Sequence, residues 1–329
     1  MEVWRRYDHE EPTEGVGVRI FEDFAGDPSA RHLEAGDLRA VFLPARGMLG
    51  ASLQHRGVEL LRRVQDLPAA AARKSTAGIP FLHPWANRLA GTSYWAAGRS
   101  VSLDLASPLL HLDAGSLPIH GVSWSLLAWE VIESTPRRLA AQLDWSRADL
   151  LSVFPFRHRV ELAITLGAGA LELDTTLRAD LGGPVPVSFG FHPYFGIPEL
   201  PRAEWRLALP AMRRLAVDER GIPTGAEETF AELDSLLGAR TFDDGFALQD
   251  ERACFSLAGG GRRITVELMA GYRYAQVFAP RNGDCVALEP MTAPTSALTS
   301  GRGLQVAAPG EAFRAAFRIR VEDLAQASR

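Results

Sequence analysis

The sequence predicts an all-β protein with antiparallel sheets, built as one large β-sandwich domain over residues 1–329. Apolar residues alternate with other residues from 156 to 177, on both sides of a short turn that contains glycine. Short strand-like runs bounded by Gly, Pro, Asn or Asp follow one another along the whole chain. With 47% apolar and 23% charged residues among 329, the composition is that of a globular protein with a sizeable core.

Three hairpins are predicted from runs of period two on either side of a Gly-containing turn. They join residues 156–166 to 171–177 through Gly167-Ala168-Gly169, residues 255–257 to 264–268 through Gly259-Gly260-Gly261, and residues 304–306 to 313–321 across Pro309-Gly310. Further strand-like runs are residues 38–43, 126–132, 139–145, 274–278 and 285–288.

One short helix is predicted over residues 227–237. Four apolar residues recur there at helical spacing, and Gly238 follows as a suitable C-terminal cap. The apolar residues of this stripe are Phe230, Leu233, Leu236 and Leu237.

Charge and cysteine content exclude several classes. The formal net charge is -5, with 35 basic and 40 acidic residues intermixed, so the sequence has no basic footprint for nucleic acid. Residues 1–15 carry acids where a secretory signal needs an apolar core, and no run approaches the roughly 18 apolar residues of a membrane span. Cys254 and Cys285 make neither a disulfide framework nor a zinc site, so we expect a soluble, cytoplasmic protein.

Motifs for phosphate binding, zinc proteolysis, esterase chemistry and dinucleotide binding are missing from the sequence. The polar residues that remain lie in loop-like settings. In residues 78–91, Arg88 offers a planar fork of donors for vicinal hydroxyls or a carboxylate, with a surface salt bridge as the alternative. His120 precedes Gly121, which allows a backbone or ligand to approach closely, and it is either a ligand contact or a structural histidine.

Three further segments supply a histidine and three acids. His192 lies among four aromatic residues and a proline, which favours its neutral form, and a core histidine is the alternative. Glu289 ends an apolar strand, and apolar walls raise a carboxyl pKa, so it is a candidate general base. Asp243 and Asp244 are adjacent acids that turn chemistry alone also explains.

In order, the motifs N-R, I-H-G, F-H-P-Y-F, F-D-D and L-E-P-M-T-A-P resemble those of the aldose 1-epimerase (galactose mutarotase-like) family. The resemblance extends from about Val16 to Val321. It implies a large antiparallel β-supersandwich with few short helices. It also implies an enzyme without metal or organic cofactor, whose partner is a small sugar bound by a monomer or homodimer.

The resemblance implies roles for individual residues. Glu289 matches the general base that takes the proton from the anomeric hydroxyl, and His192 matches the general acid that protonates the ring oxygen. The implied reaction breaks the bond between C1 and the ring oxygen, rotates the C1–C2 bond and recloses the ring with C1 inverted. Positions that match substrate-holding residues are Arg88, His120 and Asp243, with Asp244 as the alternative to Asp243.

Some residues depart from the family pattern or remain open. His83 stands where relatives more often carry an apolar residue, and Thr295-Ser296 stand where many have Pro-Asn. His83 is either an extra sugar contact or a hydrogen-bonded loop residue. His158 shares the inward parity of its apolar neighbours, so it either lines the concave face or lies in the core.

Three other functions are considered as alternatives to a mutarotase of free aldoses. A hexose-6-phosphate 1-epimerase needs convergent cations, for which Arg73, Lys74 and Arg88 are the nearest candidates. A non-catalytic carbohydrate-binding protein would bind sugar without turnover. A glycoside hydrolase needs two carboxylates across the scissile bond, and the histidine partner of Glu289 argues against it.

Overall fold

Two large antiparallel sheets, of nine and eight strands, dominate the architecture. The structure is a computed structural model, and it describes residues 24, 27–63, 66–250, 252–281 and 283–324. Residues 1–15 and Val16, where the resemblance to relatives begins, lie outside the described residues. The prediction of an all-β, antiparallel protein with few short helices is confirmed.

The described helices are short, and none of them is long and apolar enough to cross a membrane. The helices are α1 (Leu67–Arg73), α2 (Ala148–Val153) and α3 (Ala297–Ser300), with single 3-10 turns at Pro44–Arg46, Trp124–Leu126 and Arg202–Glu204. The strands are β1 (Arg31–Ala35), β2 (Leu38–Leu43), β3 (Leu49–His55), β4 (Val58–Glu59), β5 (Phe81–Leu82), β6 (Ser93–Ala96), β7 (Arg99–Ser102), β8 (Leu110–Leu112), β9 (Pro118–Val122), β10 (Glu130–Ser134), β11 (Arg138–Trp145), β12 (His158–Leu166), β13 (Ala170–Ala179), β14 (Val185–Val187), β15 (Gly190–Phe191), β16 (Tyr194–Phe195), β17 (Arg206–Leu209), β18 (Met212–Val217), β19 (Pro223–Phe230), β20 (Leu233–Leu236), β21 (Phe242–Leu248), β22 (Cys254–Gly259), β23 (Arg262–Ala270), β24 (Tyr274–Ala279), β25 (Val286–Met291), β26 (Gln305–Ala307) and β27 (Ala312–Asp323).

Strand order places β27, the last described strand, in the middle of the nine-stranded sheet. The nine-stranded sheet runs β10-β11-β12-β13-β27-β23-β22-β17-β20, and the eight-stranded sheet contains β19-β18-β21-β24-β25-β15-β5 with β16 also paired to β25. A four-stranded sheet, β1-β2-β3-β4, and the pairs β6-β7, β8-β9 and β14-β26 complete the described sheets. The eight-stranded sheet therefore carries β25, β15 and β24 next to or close to one another.

The core lies between the two large sheets. On β12, the inward residues Val160, Leu162 and Ile164 are buried, as alternation with period two requires. The ring of Phe191 on β15 lies against that of Phe317 on β27, with ring centroids 5.1 Å apart. Because one face of the eight-stranded sheet packs into this core, its other face is free to carry polar side chains.

Two of the three predicted hairpins are confirmed. Strands β12 and β13 pair from His158 opposite Ala179 to Leu166 opposite Leu171. Strands β22 and β23 pair around the turn at Gly260. The runs predicted at residues 38–43, 139–145, 274–278 and 285–288 also lie in strands, whereas the run at 126–132 begins as a 3-10 turn and becomes β10 only at Glu130.

The third predicted hairpin is wrong. Strand β26 pairs with β14, with Val306 opposite Pro186. Strand β27 lies between β13 and β23 and is hydrogen-bonded to both. Since both edges of β27 are used, it has no edge left for β26, although the turn at Gly310 with positive φ is present.

The helix predicted over residues 227–237 is also wrong. These residues form the end of β19 and all of β20, which pair with β18 and β17 in different large sheets. The helical spacing of apolar residues arises because two strands contribute to it, and Leu236 is 54% exposed instead of buried. Gly238 has a positive φ but lies in the turn after β20, so tertiary strand pairing overrides the local pattern here.

The packing of β13 in the core predicts how a substitution there changes the free energy of unfolding. Leu173 is fully buried, so Leu173→Ala leaves a cavity and is expected to lower the free energy of unfolding by about 3–4 kcal/mol. Leu181 is 83% exposed, so Leu181→Ala is the matched control and is expected to change it by less than about 0.5 kcal/mol. Urea unfolding measures both, and equal losses in the two variants would contradict the placement of β13.

Candidate active site

The register of three strands brings Glu289, Gln276 and Asp243 to one face of the eight-stranded sheet. Glu289 on β25 stands directly opposite Gln276 on β24. The Gln276 amide Nε2 donates to Asp243 Oδ1 on β21 at 2.8 Å. Since Leu288, the neighbour of Glu289, is in the core, alternation directs Glu289 and its partners to the outer face.

His192 reaches the same face from the turn between β15 and β16. Its neighbour Phe191 points into the core, so His192 points outward. The imidazole Nε2 lies 3.1 Å from Glu289 Oε1. The ring stacks on that of Tyr194, with centroids 4.0 Å apart and planes 13° apart, and the Tyr194 hydroxyl is hydrogen-bonded to Thr76 Oγ1. These contacts fix the imidazole beside the carboxylate.

Burial makes the ion pair of His192 and Glu289 unfavourable. Burial raises the pKa of Glu289 well above its usual value; the Asp243 carboxylate raises it further, and Arg88 lowers it. Burial also lowers the pKa of His192 well below its usual value, with His120 adding to that effect. Both directions favour the neutral carboxyl and the neutral imidazole, with one proton between Oε1 and Nε2, over the ion pair.

Two polar atoms of this pair lack a protein partner among the described residues. They are Nδ1 of His192 and Oε2 of Glu289, both buried. Buried polar atoms are nearly always hydrogen-bonded, so unpaired atoms in a site are candidates for contact with a ligand or solvent. The pair therefore has spare capacity to exchange protons with a bound molecule.

His120 presents a hydrogen-bond donor next to His192, with ring centroids 5.5 Å apart. Its Nδ1 accepts from the backbone N–H of Asn87 at 3.3 Å, so the proton of the neutral ring is on Nε2. Burial, first, and then Arg88 lower the pKa of His120 to about 3, which keeps the ring neutral at physiological pH. The next residue, Gly121, must be glycine, because a Cβ there would lie 2.3 Å from the carbonyl oxygen of His83.

Arg88 is held by an acid that the sequence analysis did not single out. Its Nε donates to Asp113 Oδ2 at 2.6 Å, and both side chains are largely buried. Burial raises the pKa of Asp113, but the N–H of Leu117 and the Arg88 guanidinium more than offset this and lower it. Arg88 also lowers the pKa of Glu289, which places its charge at the same site.

Ser296, one of the two departures from the family pattern, anchors the backbone of Arg88. Its N–H donates to the Arg88 carbonyl oxygen at 2.9 Å, and its hydroxyl accepts from the N–H of Ala90 at 3.0 Å. Thr295 beside it is buried. The structure thus explains Ser296 as a support for the loop that carries Arg88.

Of the two adjacent acids, Asp243 lies on the same face as Gln276 and Glu289. Asp243 is bonded to Gln276 and acts on the pKa of Glu289. Asp244 points to the other side of β21, where its Oδ1 lies 3.4 Å from Arg214 Nε. Alternation along a strand makes the two positions mutually exclusive for this face.

His83 and His158 do not reach this face. Both are buried, and their Nε2 atoms are 2.8 Å apart. His83 is therefore a hydrogen-bonded loop residue, and His158 is a core histidine. Lys74, one of the cations considered for a phosphate, donates to the backbone oxygen of Leu110 instead.

The residues that sequence reasoning missed are the partners of those it found. Gln276 and Asp113 lie in segments with no motif, and only the sheet register and the loop geometry bring them to Glu289 and Arg88. Tyr194 lies in the motif F-H-P-Y-F and Asn87 in the motif N-R, so their closeness in sequence to His192 and Arg88 could have indicated them. Among the residues that the structure describes, no group of three or more His, Cys, Asp or Glu side chains is arranged to hold a metal ion.

Comparison with known proteins places this site in a family context. The chain is 26% identical over 307 residues to the uncharacterized protein YihR of Escherichia coli K12, covering 87% of this chain and 91% of that protein. The Slr1438 protein of Synechocystis sp. PCC 6803 is similar in structure, with a TM-score of 0.75, 25% identity, and coverage of 90% of this chain and 96% of that one.

A galactose mutarotase-like protein from Clostridium acetobutylicum gives a TM-score of 0.77 at 18% identity, covering 89% of this chain and 95% of that one, and so shows the shared fold. The sequence model of the aldose 1-epimerase family matches residues 46–320. This range includes the acid–base pair and every residue placed around it. The chain belongs to the aldose 1-epimerase family.

Proposed function

We propose that the protein is a mutarotase that interconverts the α and β anomers of a free aldose. The observation that carries this proposal is the contact of His192 Nε2 with Glu289 Oε1 at 3.1 Å in a buried polar site. Mutarotation needs one proton removed from the anomeric hydroxyl and one delivered to the ring oxygen. An adjacent acid and base with one proton between them supply both transfers.

The proton balance follows from the state of the pair. In the ring-opening step, the proton between the two side chains first moves from Glu289 to His192. Glu289 as carboxylate then takes the proton of the C1 hydroxyl, the bond from C1 to the ring oxygen breaks, and His192 as imidazolium gives its proton to that oxygen. The products are the open-chain aldehyde, a neutral carboxyl and a neutral imidazole. These neutral forms are the ones that burial favours, so the step returns the pair to its favoured state.

Ring closure is the same step in reverse. Rotation about the C1–C2 bond turns the other face of the aldehyde towards the hydroxyl that attacks it. His192 then takes the proton of this hydroxyl, and Glu289 returns its proton to the aldehyde oxygen. The pair regains its starting state, so no external proton source is consumed.

Three other groups are suited to hold the sugar. His120 offers a neutral N–H donor, Arg88 offers the guanidinium donors that Asp113 leaves free, and Asp243 offers acceptor oxygens. Vicinal hydroxyls both donate and accept, so a cationic fork opposite a carboxylate complements them. Each also acts on the electrostatics of the acid–base pair.

The observations favour a free aldose over a phosphorylated one. A phosphate site requires two or three converging cations. Here Arg88 is engaged with Asp113 and Lys74 with a backbone oxygen. Comparing turnover of glucose with that of glucose 6-phosphate distinguishes the two substrates.

The acid–base assignment is tested by polarimetry on freshly dissolved α-glucose and α-galactose. Glu289→Gln and His192→Asn each remove one positioned proton transfer, so each is expected to lower the enzyme-catalysed rate by at least about 10²-fold. Circular dichroism checks that both variants are folded. Near-wild-type rates in either folded variant would refute the assignment, and saturable sugar binding without turnover by the wild type would favour the binding-only protein.

The acceptor role of Asp243 is tested against its neighbour. Asp243→Asn weakens the acceptor and removes a charge from the site, so kcat/KM is expected to fall about tenfold or more. Asp244→Asn is the matched control and is expected to stay within about twofold, because Asp244 faces Arg214 on the other side of the strand. Steady-state kinetics on one sugar measures both, and a larger effect at Asp244 would reverse the assignment.

Burial of Glu289 also predicts a stability effect. Its pKa is raised in the folded state, so the folded protein binds more protons than the unfolded chain above pH 4.5, and stability falls as pH rises. Glu289→Gln removes this loss and is expected to raise the Tm at pH 8 by about 2 °C or more. Differential scanning calorimetry at pH 5 and pH 8 tests it; a lower Tm for the variant at pH 8 would contradict the burial of an unfavourable carboxylate.

A further inference from the structure

Two buried histidines outside the reacting groups join the loop of Arg88 to the nine-stranded sheet. His158 is the first residue of β12, and His83 lies directly after β5, in the segment that leads to Arg88. Their side chains are hydrogen-bonded through Nε2 atoms 2.8 Å apart. A direct hydrogen bond between two buried imidazoles is an expensive arrangement to keep unless each proton has a defined place.

The position of each proton follows from the contacts. His158 Nδ1 lies 2.6 Å from the carbonyl oxygen of Phe156, which can only accept, so Nδ1 carries the proton. Nε2 of the neutral His158 ring is therefore an acceptor, and His83 donates to it from Nε2–H. Burial lowers the pKa of His158 to about 4 and that of His83 as well, so both rings are neutral at physiological pH.

Aromatic packing leaves His83 one orientation. Its ring stacks on Phe81 with planes 9° apart and centroids separated by 5.4 Å, and it meets Trp145 edge-on at 4.8 Å. Trp145 in turn stacks on His158. The side chain of His83 is thus locked to the nine-stranded sheet by packing and by the hydrogen bond.

The backbone of His83 carries this position to His120. The carbonyl oxygen of His83 accepts from the N–H of Val122 at 2.9 Å, and it is the atom that a side chain at Gly121 would strike. Four residues further along, Asn87 and His120 exchange two hydrogen bonds: His120 N–H donates to the Asn87 carbonyl at 2.9 Å, and Asn87 N–H donates to the ring. A shift of His83 therefore displaces His120 and the start of the Arg88 loop.

We propose that His83 and His158 are positioning residues for substrate binding, whose hydrogen bond sets the places of Arg88 and His120. The inference rests on the proposed function, because it concerns the same site. His192 and Glu289 are carried by β15–β16 and β25, whereas the described hydrogen bonds and ring contacts of the His83 and His158 side chains go to Phe81, Trp145, Phe154 and Phe156 on other segments. Loss of the pair thus weakens sugar binding while the proton transfers of the bound sugar continue.

Variants at His83 test this proposal. His83→Met keeps the volume but removes the donor, and it is expected to raise KM about tenfold with kcat within about threefold of the wild type. His83→Gln places an amide N–H near the position of Nε2–H and is expected to restore KM to within about threefold. The dissociation constant of the sugar, measured by calorimetry on the same proteins, is expected to follow KM.

Another buried histidine provides the matched control. His55 on β3 is 6% exposed and lies near Asp323, away from the Arg88 loop. His55→Met is expected to lower the Tm without changing KM. If His83→Met is insoluble, His158→Met removes the acceptor of the same hydrogen bond and is expected to raise KM to the same extent.

Three results would overturn the proposal. The first is an unchanged KM and dissociation constant in folded His83→Met. The second is a fall in kcat, with KM unchanged, that His83→Gln fails to rescue. The third comes from ¹⁵N NMR of the imidazoles, which is expected to show His83 protonated on Nε2 and His158 on Nδ1 at pH 7; other tautomers would remove the pair itself. The NMR measurement reports the tautomers of His83 and His158 without any turnover. A wild-type protein without mutarotase activity would therefore reject the proposed function, while the hydrogen bond between the two histidines is tested independently.

Discussion

The contact between His192 and Glu289 is the interaction around which the candidate site is organised. Burial favours the neutral form of each side chain, and a single proton between the carboxyl and the imidazole leaves both groups neutral. The contact between Nε2 and Oε1 and the stacked ring of Tyr194 lower the cost of burying them. Mutarotation removes one proton from the bound sugar and delivers another to it. The proposed reaction therefore uses two states of the pair, the neutral pair and the carboxylate with the imidazolium.

The fold makes this contact possible through strand alternation. One face of the eight-stranded sheet packs into the core, so its other face can carry Glu289, Gln276 and Asp243 in adjacent strands. A loop and a strand close the site from the side. The loop carries Arg88, which Asp113 and Ser296 hold in place, and strand β9 carries His120. Strand β25 and the turn between β15 and β16 hold the reacting groups, and β21, β9 and the Arg88 loop hold the groups suited to bind the substrate.

Sequence pattern predicted the parts of this structure that depend on local order. Period-two alternation around a glycine turn was enough for β12–β13 and β22–β23, because neighbouring strands paired with each other. It failed for β26, whose partner β14 lies far away in sequence, and for residues 227–237, where two strands of different sheets mimic a helical stripe.

The site shows the same limit. His192, Glu289, His120 and Arg88 stand in recognisable motifs, so their residue types could be predicted to matter. Their partners Gln276 and Asp113 could not, because register across strands and loop closure decide which side chains meet. The choice between Asp243 and Asp244 likewise needed the pleat of β21, since adjacent residues of a strand face opposite sides.

The most direct test of this account is saturation transfer between the two anomeric proton signals of galactose in the presence of the wild-type protein. The account predicts that saturating one anomer depletes the other at a rate proportional to protein concentration, with the hydrogen on C1 retained throughout. Transfer no faster than in buffer for galactose, glucose and other free aldoses would contradict the claim that the buried His192–Glu289 pair opens and closes a sugar ring.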